Sequence, residues 1–143
     1  MTTSTLENGI LRGFTHSIEG DISTLTVGLL ENREIAMEAA NAARDVMQNR
    51  RVKKTLIIIK KEAKPLSGPA RIFSSELGTL NLDHLLASGI VVPSMPVMII
   101  AKRLAKKTKA DQQFFMEEDI ATSWISAWKS KEQSAQWLNE NAK

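Results

Sequence analysis

Thr55-Leu-Ile-Ile-Ile59 is the stretch that decides the fold. Four of its residues are consecutive and apolar, three of these are β-branched, and lysines precede and follow the stretch. Side chains of this kind pack well in a sheet, and an unbroken apolar run is typical of a strand covered on both faces. The stretch therefore predicts a central strand buried on both sides.

The residues before this strand predict a hairpin and a helix. Residues 10–19 and 22–30 have the apolar alternation of strands, and Gly20-Asp21 between them is a turn-forming pair. Asn32 is placed to cap a helix that continues with apolar residues at helical spacing to Gln48. This helix is rich in alanine on one face, which suits close packing on a sheet.

The residues after the central strand continue the alternation. Pro69 is suited to the first position of a helix that Gly78 would end. Residues 80–87 are expected to add a further helical turn or two. Residues 89–92 then predict a short buried strand.

The C-terminal half predicts three more helices and one strand. The apolar residues of 95–108 recur at helical spacing, although a strand over 97–100 is an alternative. Residues 112–116 predict a strand, Asp119 is expected to cap the next helix, and residues 131–138 form a last helical segment.

The predicted order is β-β-α-β-α-β-α-β-α, which is a sheet layered with helices. We expect one α/β domain over residues 1–143, with a mixed sheet of four to five strands and about four helices. Its core would span about 9–128, and residues 129–143 would form a C-terminal helical extension.

The composition excludes several classes of protein. The sequence has no cysteine, so disulfides, thiolate metal sites and cysteine nucleophiles are excluded. Residues 1–8 are polar and rich in threonine, which predicts no secretory signal. The longest apolar runs are far shorter than the roughly 20 residues that span a bilayer. These features predict a cytoplasmic protein.

Charge is distributed unevenly along the chain. Residues 1–43 carry a net charge of −4, residues 44–109 one of +10, and residues 110–143 one of −3. A basic middle segment attracts anionic partners such as phosphate ligands or membrane surfaces. The alternative is a solvated surface of lysine and arginine that the acidic segments partly neutralise in the fold.

The C-terminal half resembles a known family. Residues 88–104 and 113–125 are similar to bacterial SpoIIAA-like or STAS/SEC14-type domains, in which a short strand ending in Phe leads to an acidic helix start and an Ala-x-x-Trp-Leu pattern. The residues at matching intervals are Phe115, Glu117, Glu118, Asp119, Ala121, Trp124 and Ile125. The resemblance implies a STAS-like regulatory, protein-binding or lipid-like ligand-binding module that is often a homodimer.

The same resemblance implies a possible phosphoacceptor. Ser67-Gly68 is similar to the Ser-Gly pair at the start of a helix in phosphorylated members, although Pro65-Leu66 replaces the Asp-Ser that usually precedes it. A helix N-terminus also favours bound anions. The alternative is that Ser67 only caps the helix or a turn.

No catalytic or cofactor motif is evident. His16 and His84 are the only histidines, and no Gly-x-Ser-x-Gly element supplies a nucleophile for either. The seven glycines form no phosphate-binding loop, and the histidine spacing matches no metal-ligand motif. We therefore expect a non-enzymatic protein without cofactor or metal.

The helix predicted from residue 97 to residue 109 is the candidate binding element. It has an apolar stripe, five basic residues and no acidic one, as expected beside an anionic ligand or a membrane surface. Lys102, Arg103 and Lys106 would then lie at the mouth of a ligand pocket. Nucleic acid is disfavoured because no aromatic residue is interleaved with the basic ones.

Two functions follow as hypotheses. The first is a regulatory or protein-interaction domain, with Trp137 in a dimer or partner interface because tryptophan is enriched at binding hot spots. The second is a small domain that binds an apolar or amphipathic anion under the basic helix. The second predicts an apolar cavity beside residues 97–104, whereas the first predicts that this helix packs solidly.

Overall fold

One sheet of six strands in chain order organises the protein. The computed structural model describes residues 10–11, 13–64, 67–104 and 109–141. The strands are β1 (Ile10–Leu11), β2 (Phe14–Glu19), β3 (Ile22–Val27), β4 (Lys54–Ile59), β5 (Ala87–Val91) and β6 (Asp111–Phe115). β1 to β3 are antiparallel and β3 to β6 are parallel. The sheet is therefore mixed, and β4 has a parallel neighbour on each side.

Within the described residues, five α-helices complete the α/β fold and confirm the predicted fold class. They are α1 (Arg33–Met47), α2 (Gly68–Leu77), α3 (Met95–Leu104), α4 (Glu118–Ala127) and α5 (Lys131–Asn141), and a 3₁₀-helix spans Lys61–Ala63. Residues 97–100 are helical, so the alternative of a strand there is wrong. Among the helices that the structure describes, none combines the length and apolar character needed to cross a bilayer.

The helices are divided between the two faces of the sheet. Crossovers between parallel strands share one hand, and the strands lie in chain order, so the three crossover helices α1, α2 and α3 fall on one face. We call this the front face. The opposite, back face is covered by α4 and α5, which follow the last strand.

The front core depends on the small side chains of α1. Ala36, Ala39, Ala40 and Ala43 are buried in the same cluster as Leu25 of β3. Asn32 caps this helix as predicted, because its Oδ1 accepts the N–H of Ile35 at 2.9 Å. Capping and close packing together hold α1 against strands β2 and β3.

The back core is built around Trp124 of α4. Its indole is 1% exposed and lies 5.5 Å from the ring of Phe115, centroid to centroid. Leu56 and Ile58 of β4 point into the same cluster. The indole Nε1 donates to Ser134 Oγ at 2.8 Å, which ties α5 to α4.

The predicted single strand over residues 10–19 is wrong. The chain turns back at Gly13, which has φ of +72°, and β1 pairs with β2 as a tight hairpin. Gly28 N–H donates to the Gly13 carbonyl at 2.6 Å, and an ideal Cβ on Gly13 would lie 1.9 Å from the Leu29 carbonyl oxygen. Only glycine fits this backbone conformation and this close approach.

Two smaller predictions are also wrong. Residues 80–86 form turns rather than a helix, because Asn81 Oδ1 accepts the N–H of Asp83 at 3.1 Å in place of a helical bond. Asp119 lies inside the first turn of α4, and the N-cap position belongs to Glu117. The acidic run still lies at the positive end of the helix dipole.

Candidate functional site: a cavity on the front face

The two sides of β4 differ in burial. Leu56 and Ile58 are buried on the back face, whereas Ile57 and Ile59 on the front face are only half-buried. On the front face, the prediction that this strand is buried on both sides therefore holds for Thr55 and is wrong for Ile57 and Ile59. Ile57 and Ile59 pack against the front core on one side and also border a cavity of about 490 Å³.

The cavity lies over the front face of β4, β5 and β6. Register pairs Ile57 with Ile90 and Ile90 with Phe114, so these three side chains form an apolar row across its floor. The neighbouring row, toward the start of the strands, supplies Ser88 and Gln112 to the floor. The floor is therefore mostly apolar with a polar strip at one end.

One wall is made by α2 and by residues 79–86, the loop that follows it. Phe73 of α2 is buried against the ring of Phe14, with the centroids 5.8 Å apart, and also lines the cavity. His84 lies in the loop, and its Nε2 donates to the Met47 carbonyl at 2.8 Å. This bond fixes the loop to the end of α1, which accounts for a histidine at this position.

The other wall is α3, the helix with the predicted basic face. Ala101 lines the cavity, and of the described α3 side chains only Met98 is buried. Met95 and Ile99 are 51% and 48% exposed. The helix therefore does not pack solidly on the sheet, and an apolar cavity lies beside it.

The charges around the cavity differ from those predicted. Among the described lining residues, Asp83 is the one ionisable side chain. Lys102 and Arg103 are exposed and do not line the cavity, but Lys102 Nζ lies 6.0 Å from the ring centroid of Phe114, which does. Lys106, the third residue predicted at the mouth, lies outside the described residues.

Ser67 and Gly68 lie away from the cavity lining. Ser67 is the N-cap of α2, and its Oγ accepts the N–H of Ala70 at 3.4 Å. Gly68 is the first residue of the helix, and Pro69 follows it in the first turn. Capping explains the serine, and a phosphoacceptor role for Ser67 stays a prediction.

Trp137 of α5 is half-buried and packs against the back core. Its role in an interface stays a prediction. Trp128, which ends α4, donates its indole N–H to Asp111 Oδ2 at 2.9 Å. Within the described ranges, no group of three histidine, aspartate or glutamate side chains could hold a metal ion.

Sequence motifs do not single out Ser88 and Gln112. Each is the second residue of a parallel strand, but only Ser88 is polar within a largely apolar segment, because Gln112 lies between Asp111 and Gln113. A polar second residue in each strand is the one signal that the sequence offers. The two residues are 24 positions apart, however, and only the strand register brings them together.

Fold and site together define an α/β domain with a largely apolar cavity on one face of its parallel sheet. Comparisons with protein-family models, with curated proteins and with solved structures each find no match.

Proposed function

We propose that this protein binds a small, largely apolar or amphipathic ligand in the front cavity and acts by binding rather than by catalysis. The observation that carries the proposal is the cavity of about 490 Å³ between α2 and α3. Ligand sites usually have volumes of about 300–1,000 Å³ and apolar walls with a few polar groups.

The cavity is unusual for a domain of this size. Protein interiors are close-packed, and a void lined by unsupported side chains loses their dispersion contacts. Ile57, Ile90 and Phe114 would be expected to meet side chains of α3, but of its described side chains only Met98 is buried. A ligand of matching shape would restore these contacts.

Binding without chemistry is supported by the groups that line the cavity. The hydroxyls of Ser74 and Ser88 have no histidine partner among the described residues, and a serine nucleophile needs an adjacent base. His84, the nearest histidine in sequence to Ser88, is hydrogen-bonded to the Met47 carbonyl.

Four predictions from the sequence accompany the proposal. A cytoplasmic location, a STAS-like identity, a regulatory role and a homodimeric state each rest on the sequence patterns given above. Sedimentation of the purified chain tests the dimer directly, and a monomer at all concentrations would remove that prediction.

Native mass spectrometry of the protein from its own host, with titration of the purified chain with 1-decanol, tests the binding function. We expect a co-purified apolar molecule and saturable binding of decanol. Ala101→Trp should fill the cavity and abolish both, whereas Ala127→Trp on the exposed end of α4 should leave both unchanged. Equal binding by the two variants would contradict the proposal.

A further inference from the structure

We infer that the ligand of the front cavity carries an uncharged hydrogen-bonding group, such as a hydroxyl or a carbonyl, and that Ser88 and Gln112 bind this group. The inference rests on the proposed function and specifies its chemistry. It replaces the anion expected from the basic helix with a neutral amphipathic molecule.

A polar row crosses the front face of the sheet. Ser23, Thr55, Ser88 and Gln112 are each the second residue of one of the four parallel strands, and each pairs with the next in register. Ser23 and Thr55 are fully buried and satisfy each other through a hydroxyl–hydroxyl bond of 2.9 Å. The hydrogen bonding of the polar row is therefore complete on the side that α1 covers.

In the other half of the polar row, the side chains are not hydrogen-bonded to other described residues. Ser88 is only 7% exposed and Gln112 is half-buried, yet within the described chain neither side chain has a hydrogen-bond partner. Both side chains line the cavity. Among the described residues, every fully buried side-chain polar atom has a hydrogen-bond partner, so the unpaired polar atoms of Ser88 and Gln112 are not fully buried. Their polar atoms therefore face the cavity space, where a ligand group can reach them.

The chemistry of the two side chains suits a neutral partner. Serine both donates and accepts, and the glutamine amide offers two donors and an acceptor. A ligand hydroxyl or carbonyl oxygen between Ser88 and Gln112 would complete the hydrogen bonding of the polar row, which Ser23 and Thr55 begin.

The charges of the lining oppose a buried ion. The described lining residues include no lysine, arginine or histidine, and Asp83 at the exposed rim would repel an anion. An ionised group that leaves water without a paired charge is strongly disfavoured. Lys102 lies over the Phe114 ring but is not one of the lining residues.

The arrangement also orients the ligand. The apolar row of Ile57, Ile90 and Phe114 lies one step further along the strands than Ser88 and Gln112. The apolar part of the ligand would lie over this row and extend toward Ile59, with the polar group at the N-terminal end of the strands.

Calorimetric titration with three probes of equal chain length tests the inference: 1-decanol, decanoate and decylammonium. We expect decanol to bind about tenfold more tightly than either ion. Ser88→Ala and Gln112→Leu should each weaken decanol about fivefold to tenfold, the effect of one lost hydrogen bond. The matched controls are Ser126→Ala on the exposed side of α4 and Gln113→Leu on the opposite face of β6, and both should keep wild-type affinity.

A second measurement does not depend on the variants folding. In wild-type protein, decanol should shift the NMR signals of the Gln112 side-chain amide and leave those of Gln113 in place. The inference is overturned if either ion binds as tightly as decanol, or if decanol binds without moving the Gln112 signals. Absence of binding by all three probes would instead overturn the proposed function together with this inference.

Discussion

The imidazole of His16 lies on the front face of β2, with its ring centroid 6.0 Å from that of Phe14. Burial lowers the pKa of His16 below its ordinary value of 6.5, and the nearby carboxylate of Asp45 on α1 opposes this effect only in part. The fold therefore favours the neutral ring, and the side chain makes stability depend on pH.

Replacement of His16 by glutamine should reduce the loss of stability on acidification. Because the pKa is lower in the folded chain than in the unfolded chain, the stabilisation is present above pH 6.5 and is lost as the pH falls through the folded-state pKa. Urea unfolding at several pH values between 7.5 and 5 measures this slope. An equal slope for wild-type and His16→Gln protein would contradict the assignment.

Gly89 of β5 lies where the back core leaves little room for a side chain. An ideal Cβ at this position would lie 3.2 Å from Leu56 Cδ1 and 3.3 Å from Trp124 Cζ3. Both neighbours are almost fully buried, so we expect them to shift little.

We expect Gly89→Ala to lower the free energy of unfolding by about 1–3 kcal/mol, the usual cost of overpacking a filled core. Urea denaturation followed by circular dichroism measures the change. Gly68→Ala is the control, because nothing lies within 4 Å of its Cβ position. The packing argument fails if the two substitutions have the same effect.

At the scale of elements, the sequence predicted whether a segment is a helix or a strand better than it predicted where that element begins and ends. Helices α1 and α2 could be predicted from their caps and flanking Pro and Gly residues, because these signals act over one turn. The hairpin at Gly13 was missed because its glycine is required by Leu29, sixteen residues away. Residues 80–86 were misassigned because their leucines have helical spacing, whereas the Asn81 side chain competes for the backbone.

One buried side-chain hydrogen bond joins α4 and α5. Ser134→Ala would leave the Trp124 indole N–H without its partner inside the back core. We expect a loss of about 1–3 kcal/mol in the free energy of unfolding, the cost of an unsatisfied buried donor. Chemical denaturation measures it, with Ser126→Ala on the exposed side of α4 as the control. Identical stabilities of the two variants would show that the bond contributes little.

At the scale of the whole molecule, the candidate site could be predicted only in part. The apolar stripe and basic residues of α3 led to the expectation of an apolar cavity beside this helix, and such a cavity lies there. Its floor could not be predicted, since Ser88 and Gln112 meet through strand register, which short-range sequence patterns do not encode. The size of the gap between α2 and α3 likewise depends on how the whole front layer packs.

The division of helices between the two faces decides which face of the sheet is covered later during protein synthesis. A chain is synthesised from its N-terminus, and α1 and α2 leave the ribosome long before α4 and α5. Leu56 and Ile58 therefore lack their native cover until Trp124 has been translated. During that interval, chaperones or other nascent chains can attach to these apolar side chains. The speed of translation sets how long such attachment is possible.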